Sequence, residues 1–267
     1  MLPSFRAAVV LTRLVSIGGQ RLEYVELDGD PALPALVFLH EGLGSVSLWR
    51  DFPRDVATAT GRRALVYSRA GHGSSDVPQP PRTPRFMHDE ALRVLPRLLE
   101  RFGLREPVLV GHSDGGSIAL IHAGMSGRPV SAVVALAPHV FVEDISVRAI
   151  TAARESFERT DLGERMARHH RDPEATFRLW NDIWLAPEFR DWNIEDVLGG
   201  IACPLLVIQG KDDQYGSLAQ VEAIERGVPG PVERVVLDCR HAPHLERPEE
   251  TLAAVAGFMR RQTRASE

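Results

Sequence analysis

The sequence predicts an α/β fold: a mostly parallel, eight-stranded sheet with helices on both faces. Short β-branched apolar runs alternate with helical patterns along most of the chain, which is typical of strand–helix–strand units. The later runs are almost continuously apolar, as strands buried on both faces should be. A glycine pair near the start predicts that the sheet begins with an antiparallel hairpin.

The hairpin comes first along the chain. Runs 11–17 and 21–27 flank Gly18 and Gly19, and two adjacent glycines suit a primed two-residue turn. The six remaining strands are predicted at 35–40, 63–68, 107–113, 130–138, 204–210 and 232–238.

Helical patterns occupy the stretches between these strands. Pro248 suits the first position of the last helix, where Glu249 and Glu250 face the positive end of the helix dipole. The predicted helices cover 46–60, 86–102, 115–126, 217–227 and 248–261.

One segment, 139–198, contains no strand run and is dominated by helical patterns. We interpret it as a helical cap, or lid, inserted after the sixth strand of a core domain that comprises 1–138 and 199–267.

Aromatic residues are concentrated in this insertion. Phe177, Trp180 and Trp184 follow i, i+3, i+7 spacing and share one helical face. They either dock the helices onto the core or line a substrate pocket, and the two roles are compatible. Candidate pocket residues are Leu43, Phe141, Trp180 and Trp184.

Composition excludes several classes of partner. The formal net charge of −5 argues against nucleic acid, whose binding requires a basic face. No apolar run approaches the roughly 20 residues that span a bilayer, and the apolar core of the N-terminal stretch is broken by Thr12 and Arg13, too early for a signal peptide. We therefore expect a cytoplasmic monomer or homodimer without membrane contact.

The two cysteines, Cys203 and Cys239, are too few for a disulfide framework and too widely spaced for a metal motif. One precedes its strand and the other follows the next strand, so they should lie about 20 Å apart at opposite sheet edges. We expect free thiols, no metal and no cofactor.

The fifth strand leads directly into GHSDGG, which places Gly111, Ser113 and Gly115 in a G-x-S-x-G pattern before a helix. In this context the pattern predicts a nucleophile elbow, a tight strand-to-helix turn that exposes the serine. The alternative is a turn that merely requires small residues.

With these motifs in this order, the chain resembles the α/β-hydrolase superfamily from about residue 20 to 262. It is most similar to the serine-nucleophile branch with a helical cap, which includes carboxylesterases and meta-cleavage-product hydrolases. The resemblance implies a catalytic triad in the order Ser, acid, His, with Ser113 as nucleophile.

The acid should follow the seventh strand, in QGKDDQYG, where Asp212 and Asp213 are both available. The family's G-x-x-D turn matches Gly210 and Asp213, so the resemblance favours Asp213.

The base should follow the eighth strand, in CRHAPHLERP. The first histidine of the family's G-H-x-x-H pattern maps to His241, with Arg240 in place of the usual glycine. His244 is then expected to be structural. Among the other histidines, His112 should pack inside the elbow, while His169 and His170 lie in a charged run and should be solvated.

An oxyanion hole needs hydrogen-bond donors near the nucleophile. The resemblance implies the backbone N–H of Asp114 and one from the loop HEGLGS, where Gly42 is favoured over Leu43. Two carboxylates, those of Glu41 and Asp114, would flank this site, and we expect both to be held away from the reacting oxygen. The motif SRAGHGSSD, residues 68–76, is interpreted as a turn.

The sequence therefore predicts a serine hydrolase that cleaves a small, apolar carboxylic ester through an acyl-enzyme. One alternative is carbon–carbon bond hydrolysis of a dienone acid, with Arg69, Arg148 or Arg178 holding the substrate carboxylate. The other is a receptor-like homologue with slow turnover.

Overall fold

The structure of the chain is a computed structural model that describes residues 12–78 and 82–265. Residues 1–11, which include most of the stretch considered above as a possible signal peptide and the first residue of the first predicted strand, lie outside the described residues.

Eight strands form one sheet in the order β1-β2-β4-β3-β5-β6-β7-β8. The first three in this order pair antiparallel and the others pair parallel, so the predicted fold class is confirmed. The strands are β1 Arg13–Ile17, β2 Gln20–Leu27, β3 Leu36–Leu39, β4 Ala64–Tyr67, β5 Val108–His112, β6 Ala132–Leu136, β7 Leu205–Gly210 and β8 Val232–Leu237.

The hairpin turn is the one that the glycine pair predicts. Gly18 and Gly19 have φ values of +60° and +87°, the left-handed region that glycine adopts without a steric penalty. Ile17 pairs directly with Gln20 across the turn, which leaves the two glycines as the whole loop.

Eleven α-helices are found within the described residues: α1 Phe52–Thr60, α2 Phe86–Asp89, α3 Leu95–Arg101, α4 Asp114–Met125, α5 Asp144–Arg159, α6 Leu162–Met166, α7 Pro173–Trp184, α8 Glu195–Leu198, α9 Leu218–Gly227, α10 Pro243–Glu246 and α11 Pro248–Ala265. None of the described helices is long and apolar enough to cross a membrane.

Two predicted helices differ from the structure in detail. The stretch 46–60 divides into a 3-10 turn, Ser47–Trp49, and α1, because Arg50 between them adopts a φ of +54°. The stretch 86–102 passes through a π-helical turn, Glu90–Val94, between α2 and α3. Pro248 begins α11, as expected.

The core lies on both faces of the sheet. Every residue of β3 to β7 is buried, which accounts for their continuous apolar runs. Val56 of α1 and Phe258 of α11 belong to the apolar cluster on one face. Ile118 of α4 and Ile224 of α9 belong to the cluster on the other.

Helices α5 to α8 lie between β6 and β7, in the segment 139–198 that we term the helical insertion. Phe177, Trp180 and Trp184 of α7 are all buried, as their shared spacing predicts. Trp184 packs edge-on against Phe189, with ring centroids 5.0 Å apart. The apolar face of α7 is therefore turned towards the rest of the protein.

Candidate active site

Ser113 lies on the tight turn between β5 and α4. Its φ of +53° and ψ of −119° are costly for a residue with a side chain. A Cβ on Gly111 would lie 2.2 Å from the Gly115 carbonyl oxygen, and one on Gly115 would lie 1.8 Å from that of Leu39. Both flanking positions therefore require glycine, and the turn has the geometry of a nucleophile elbow.

His241 and Asp213 meet beyond the ends of β8 and β7. Nδ1 of His241 lies 2.9 Å from Oδ1 of Asp213 and 2.8 Å from Oδ2. Because a carboxylate accepts hydrogen bonds, Nδ1 of the neutral imidazole carries the proton and Nε2 has the free lone pair. Burial raises the pKa of Asp213, but the hydrogen bond and the electrostatic interaction with His241 outweigh burial, so the net shift of the pKa is downward.

The two candidate acids have different environments. Asp213 is 6% exposed, whereas Asp212 is exposed and its backbone N–H donates to the Cys239 carbonyl. The structure thus brings Asp213, and not Asp212, to His241.

Ser113 and His241 line one cavity of about 330 Å³. Three of the four pocket residues suggested by the sequence, Leu43, Trp180 and Trp184, line it as well. Ile150 on α5 and Tyr215, two residues after Asp213, also line the cavity. Neither was expected from the sequence, because no motif marks either residue.

Phe141 is the exception among the suggested pocket residues. It is not part of the cavity lining; its backbone forms an antiparallel bridge with Asn193. Gln220 Nε2 donates to its carbonyl oxygen over 3.1 Å. This backbone pairing holds Phe141 at the base of the helical insertion, partly buried against the core.

Residues 41–44 form a turn after β3 that we term the oxyanion loop, closed by a hydrogen bond from Gly44 N–H to the Glu41 carbonyl over 3.1 Å. Among the described residues, no hydrogen-bond acceptor is seen for the N–H groups of Gly42 and Leu43. Both residues line the cavity, so the N–H of either could stabilise an oxyanion beside Ser113.

Side chains hold the carbonyl groups of this loop. The Glu41 carbonyl accepts from His40 Nδ1 over 2.7 Å and from Arg69 Nη2 over 2.8 Å. The Gly42 carbonyl accepts from His72 Nε2 over 2.9 Å. In a trans peptide the N–H points opposite to the carbonyl of the preceding residue, so these contacts fix the directions of the Gly42 and Leu43 N–H groups.

His170 also holds the loop, and the expectation that it is solvated was wrong. The residue is 4% exposed; its Nδ1 accepts from Gly73 N–H over 3.0 Å and its Nε2 donates to the Leu43 carbonyl over 2.9 Å. The neighbouring His169 is half-buried, with Nδ1 2.9 Å from Ser47 Oγ. The loops that cover His170 are distant in sequence, so the local charged run gave no sign of them.

Asp114 follows the nucleophile, and its carboxylate is completely buried. Oδ1 accepts from the indole N–H of Trp184 over 3.1 Å, and Oδ2 lies 3.8 Å from Arg69 Nη2. Burial raises the pKa of Asp114 above its usual value, while Arg69 acts in the opposite direction.

Glu41, the second carboxylate, lies over the oxyanion loop. Its Oε2 would be 2.3 Å from a Cβ on Gly44 and lies 3.7 Å from His112 Nδ1. Burial raises its pKa, but interactions with His112 and His244 outweigh burial and lower the pKa to about 2. The Asp114 carboxylate is thus held by Trp184 and Arg69 and is not part of the cavity lining, whereas Glu41 lines the cavity together with Ser113.

Arg240 occupies the position where a glycine was expected, and the backbone there does not require one, since its φ is not positive. The close approach falls at Gly210, where a Cβ would lie 1.8 Å from the Arg240 carbonyl oxygen. The two carboxylate oxygens of Glu246 accept from the N–H groups of Arg240 and Ala242 over 3.0 and 3.1 Å. Glu246 therefore fixes the loop that carries His241.

His244 and the cysteines have structural surroundings. His244 is buried against Trp49 and Phe52, with ring centroids 4.9 and 5.3 Å away. Cys203 and Cys239 are free thiols, as predicted, and burial raises the pKa of each to about 11. No group of three or more His, Cys, Asp or Glu side chains in the described part of the chain is arranged to hold a metal ion.

The cations suggested for a substrate carboxylate do not line the cavity. Arg69 is buried behind the oxyanion loop, Arg148 is exposed on α5, and Arg178 pairs with Glu174 over 2.9 Å. The arginine that does line the cavity is Arg240, whose Nε donates to Gln214 over 3.2 Å.

Comparisons with known proteins match this architecture. The sequence profile of the alpha/beta hydrolase family matches residues 36–255. The chain is 27% identical to the mouse (Mus musculus) sn-1-specific diacylglycerol lipase ABHD11, over 89% of this chain and 85% of the mouse protein.

Two solved structures share the fold. A bacterial membrane phospholipase A superposes with a TM-score of 0.79 at 19% identity, covering 95% of this chain and 86% of that one. An enol-lactonase from Burkholderia xenovorans LB400 superposes with a TM-score of 0.72 at 20% identity, covering 92% and 99%. At these identities the likeness concerns the fold.

Proposed function

The chain belongs to the alpha/beta hydrolase family, and from this we propose that it is a serine hydrolase that cleaves a small, apolar carboxylic ester through an acyl-enzyme. One observation carries the proposal: Ser113, on its strained turn, and His241, paired with Asp213, line the same cavity. A serine hydroxyl needs a base, and the base needs an orienting acid.

In the proposed mechanism, Nε2 of His241 takes the proton of Ser113 as Oγ attacks the ester carbonyl. Asp213 holds the imidazole and stabilises its cationic form. The N–H groups of Gly42 and Asp114 stabilise the oxyanion, with Leu43 as the alternative to Gly42. His241 then gives its proton to the departing alcohol, and a water deprotonated by His241 hydrolyses the acyl-enzyme.

The cavity supports an apolar substrate. Its walls include Leu43, Ile150, Trp180 and Trp184, and such walls bind acyl or alcohol chains by excluding water. The lipase activity named for the mouse relative also supports an ester. The helical insertion, which supplies Ile150 and both tryptophans, serves in this proposal as the lid of the pocket.

The proposal predicts that Ser113→Ala lowers kcat for a nitrophenyl butyrate ester about 10⁶-fold, because no other group can form the acyl-enzyme. Ser126→Ala, at the end of the same helix, is the matched control and should retain full activity. Retention of most activity by Ser113→Ala, with Ser126→Ala equally active, would remove Ser113 as nucleophile.

The same assay separates ester hydrolysis from carbon–carbon bond hydrolysis. Turnover of the nitrophenyl ester is compared with that of a dienone-acid ring-cleavage product, and the proposal expects the ester to be the better substrate. Preference for the dienone acid would instead assign carboxylate binding to Arg240, the arginine that lines the cavity.

A further inference from the structure

We propose that Arg69 is a positioning residue for the oxyanion hole: it holds the peptide that supplies one donor and compensates the charge beside the other. This inference rests on the proposed function. Arg69 follows β4, is 2% exposed, and does not line the cavity, so it acts through other groups and does not touch the substrate.

The first contact is to the oxyanion loop. Nη2 of Arg69 donates to the Glu41 carbonyl over 2.8 Å, and this carbonyl belongs to the same peptide group as the Gly42 N–H. A hydrogen bond from a cation to the carbonyl is charge-assisted and polarises the peptide. The Gly42 N–H then becomes a stronger donor, held in one direction.

The second contact is to Asp114, whose backbone N–H is the other proposed donor. Its buried Oδ2 lies 3.8 Å from the same Nη2 of Arg69. A buried carboxylate is poorly screened, so its negative charge would oppose the formation of an oxyanion close by. The cation of Arg69 offsets that effect, and Trp184 holds the other carboxylate oxygen.

Arg69 is itself fixed to this position. Its backbone N–H donates to His40 Nε2 over 2.9 Å, and His40 Nδ1 lies 2.7 Å from the Glu41 carbonyl. One neutral tautomer of His40 satisfies both contacts, accepting at Nε2 and donating at Nδ1. Arg69 and His40 therefore hold the same carbonyl together.

Burying an arginine is costly unless its charge is paired and hydrogen-bonded. Arg62 provides a matched comparison, because it is also buried, at 4% exposed, and also donates to a backbone carbonyl, that of Pro34, over 2.8 Å. Arg62 follows α1 and lies outside the cavity lining. The two arginines thus separate the effect of losing a buried cation from the effect on the oxyanion hole.

The test compares Arg69→Met and Arg69→Lys with Arg62→Met and Arg62→Lys. For Arg69→Met we expect kcat on the nitrophenyl ester to fall about 10- to 100-fold, less than the loss of an oxyanion donor itself, with KM changed less than about threefold. The Ki of a trifluoromethyl ketone, which forms a tetrahedral adduct with serine, should rise in parallel with the loss in kcat. Arg69→Lys should restore part of both.

Both Arg62 variants should retain kcat and the ketone Ki within about twofold, even where thermal stability falls. Adding Asp114→Asn to Arg69→Met should recover about fivefold in kcat, since the uncompensated carboxylate is removed. If Arg69→Met does not fold, Arg69→Lys is compared with Arg62→Lys instead. The Asp114→Asn substitution is then combined with Arg69→Lys.

Arg69 variants that lose only stability, with kcat and ketone Ki matching the Arg62 variants, would overturn the inference. A loss that appears in KM alone would overturn it too. Failure of the proposed function is recognised separately, because wild-type protein would then show neither ester turnover nor ketone inhibition.

Discussion

At the residue scale, Asp213 is fixed by donors on both carboxylate oxygens. Oδ1 accepts from Tyr215 N–H over 2.7 Å, and Oδ2 accepts from Gln209 Nε2 over 2.7 Å. Both oxygens also lie against His241 Nδ1. Since the pKa of Asp213 is lowered, the carboxylate remains ionised near neutral pH and can hold the imidazole in one tautomer.

We therefore expect Asp213→Asn to lower kcat about 10⁴-fold, as the loss of the orienting acid does in serine hydrolases. Asp212→Asn is the matched control, because Asp212 is exposed on the same turn, and it should leave kcat within about twofold. Steady-state kinetics of both variants on the nitrophenyl ester decide the point. A larger loss of kcat in Asp212→Asn than in Asp213→Asn would show that Asp212, and not Asp213, is the orienting acid.

The sequence predicted the placement of side chains that local motifs mark, and prediction failed where a side chain's partners are distant in the chain. Ser113 was predicted from its G-x-S-x-G motif and His241 from the family's histidine pattern after the eighth strand, and both line the cavity. His170 instead depends on Gly73 and Leu43, which precede it by 97 and 127 residues. A charged local segment predicts solvent exposure, and no local pattern shows which loops will cover a side chain.

At the element scale, α7 is a helix of the insertion that packs against the oxyanion loop. A Cβ on Gly42 would lie 2.1 Å from Cδ1 of Trp180, so the indole packs directly on the loop. Near the other end of the helix, Thr176 Oγ1 donates to the Gly71 carbonyl over 2.6 Å. The 3.6-residue period predicted the apolar face of α7, but not the surface that it contacts.

Because Trp180 fills space beside Gly42, Trp180→Ala should enlarge the pocket. We expect the ratio of kcat/KM for a nitrophenyl octanoate to that for the butyrate to rise about tenfold, the value of roughly one or two buried methylenes. Phe157→Ala is the matched control: Phe157 belongs to the same insertion and stacks on Phe177 at 4.1 Å, but it is not in the cavity lining.

An unchanged chain-length ratio in Trp180→Ala, or an equal change in Phe157→Ala, would contradict the assignment of Trp180 to the substrate pocket. Thermal unfolding of both variants shows whether a general loss of packing accounts for the effect.

At the scale of the whole molecule, the sheet assembles a site from loops that are far apart in the chain. The loops after β3, β5, β7 and β8 carry Gly42, Ser113, Asp213 and His241, and these parallel strands place their carboxyl ends at one edge. This is the edge where ligands bind in open α/β sheets.

The almost continuously apolar runs predicted the strands that carry these loops, because such runs are distinctive, and the family resemblance placed the site residues on the loops after them. The short helix α10 and the π-helical turn between α2 and α3 were not predicted. Elements of four or five residues carry too little periodic signal, and tertiary contacts decide their form.

The central claim is that Ser113, activated by His241 and Asp213, forms a covalent acyl-enzyme. The most direct measurement is mass spectrometry of the protein after reaction with a fluorophosphonate, with peptide mapping of the adduct and the residual ester turnover measured on the same sample. The account predicts one adduct per chain, on Ser113, and loss of turnover in proportion to labelling. An adduct elsewhere, turnover that survives complete labelling of Ser113, or labelling of a protein that has no measurable ester turnover would contradict it.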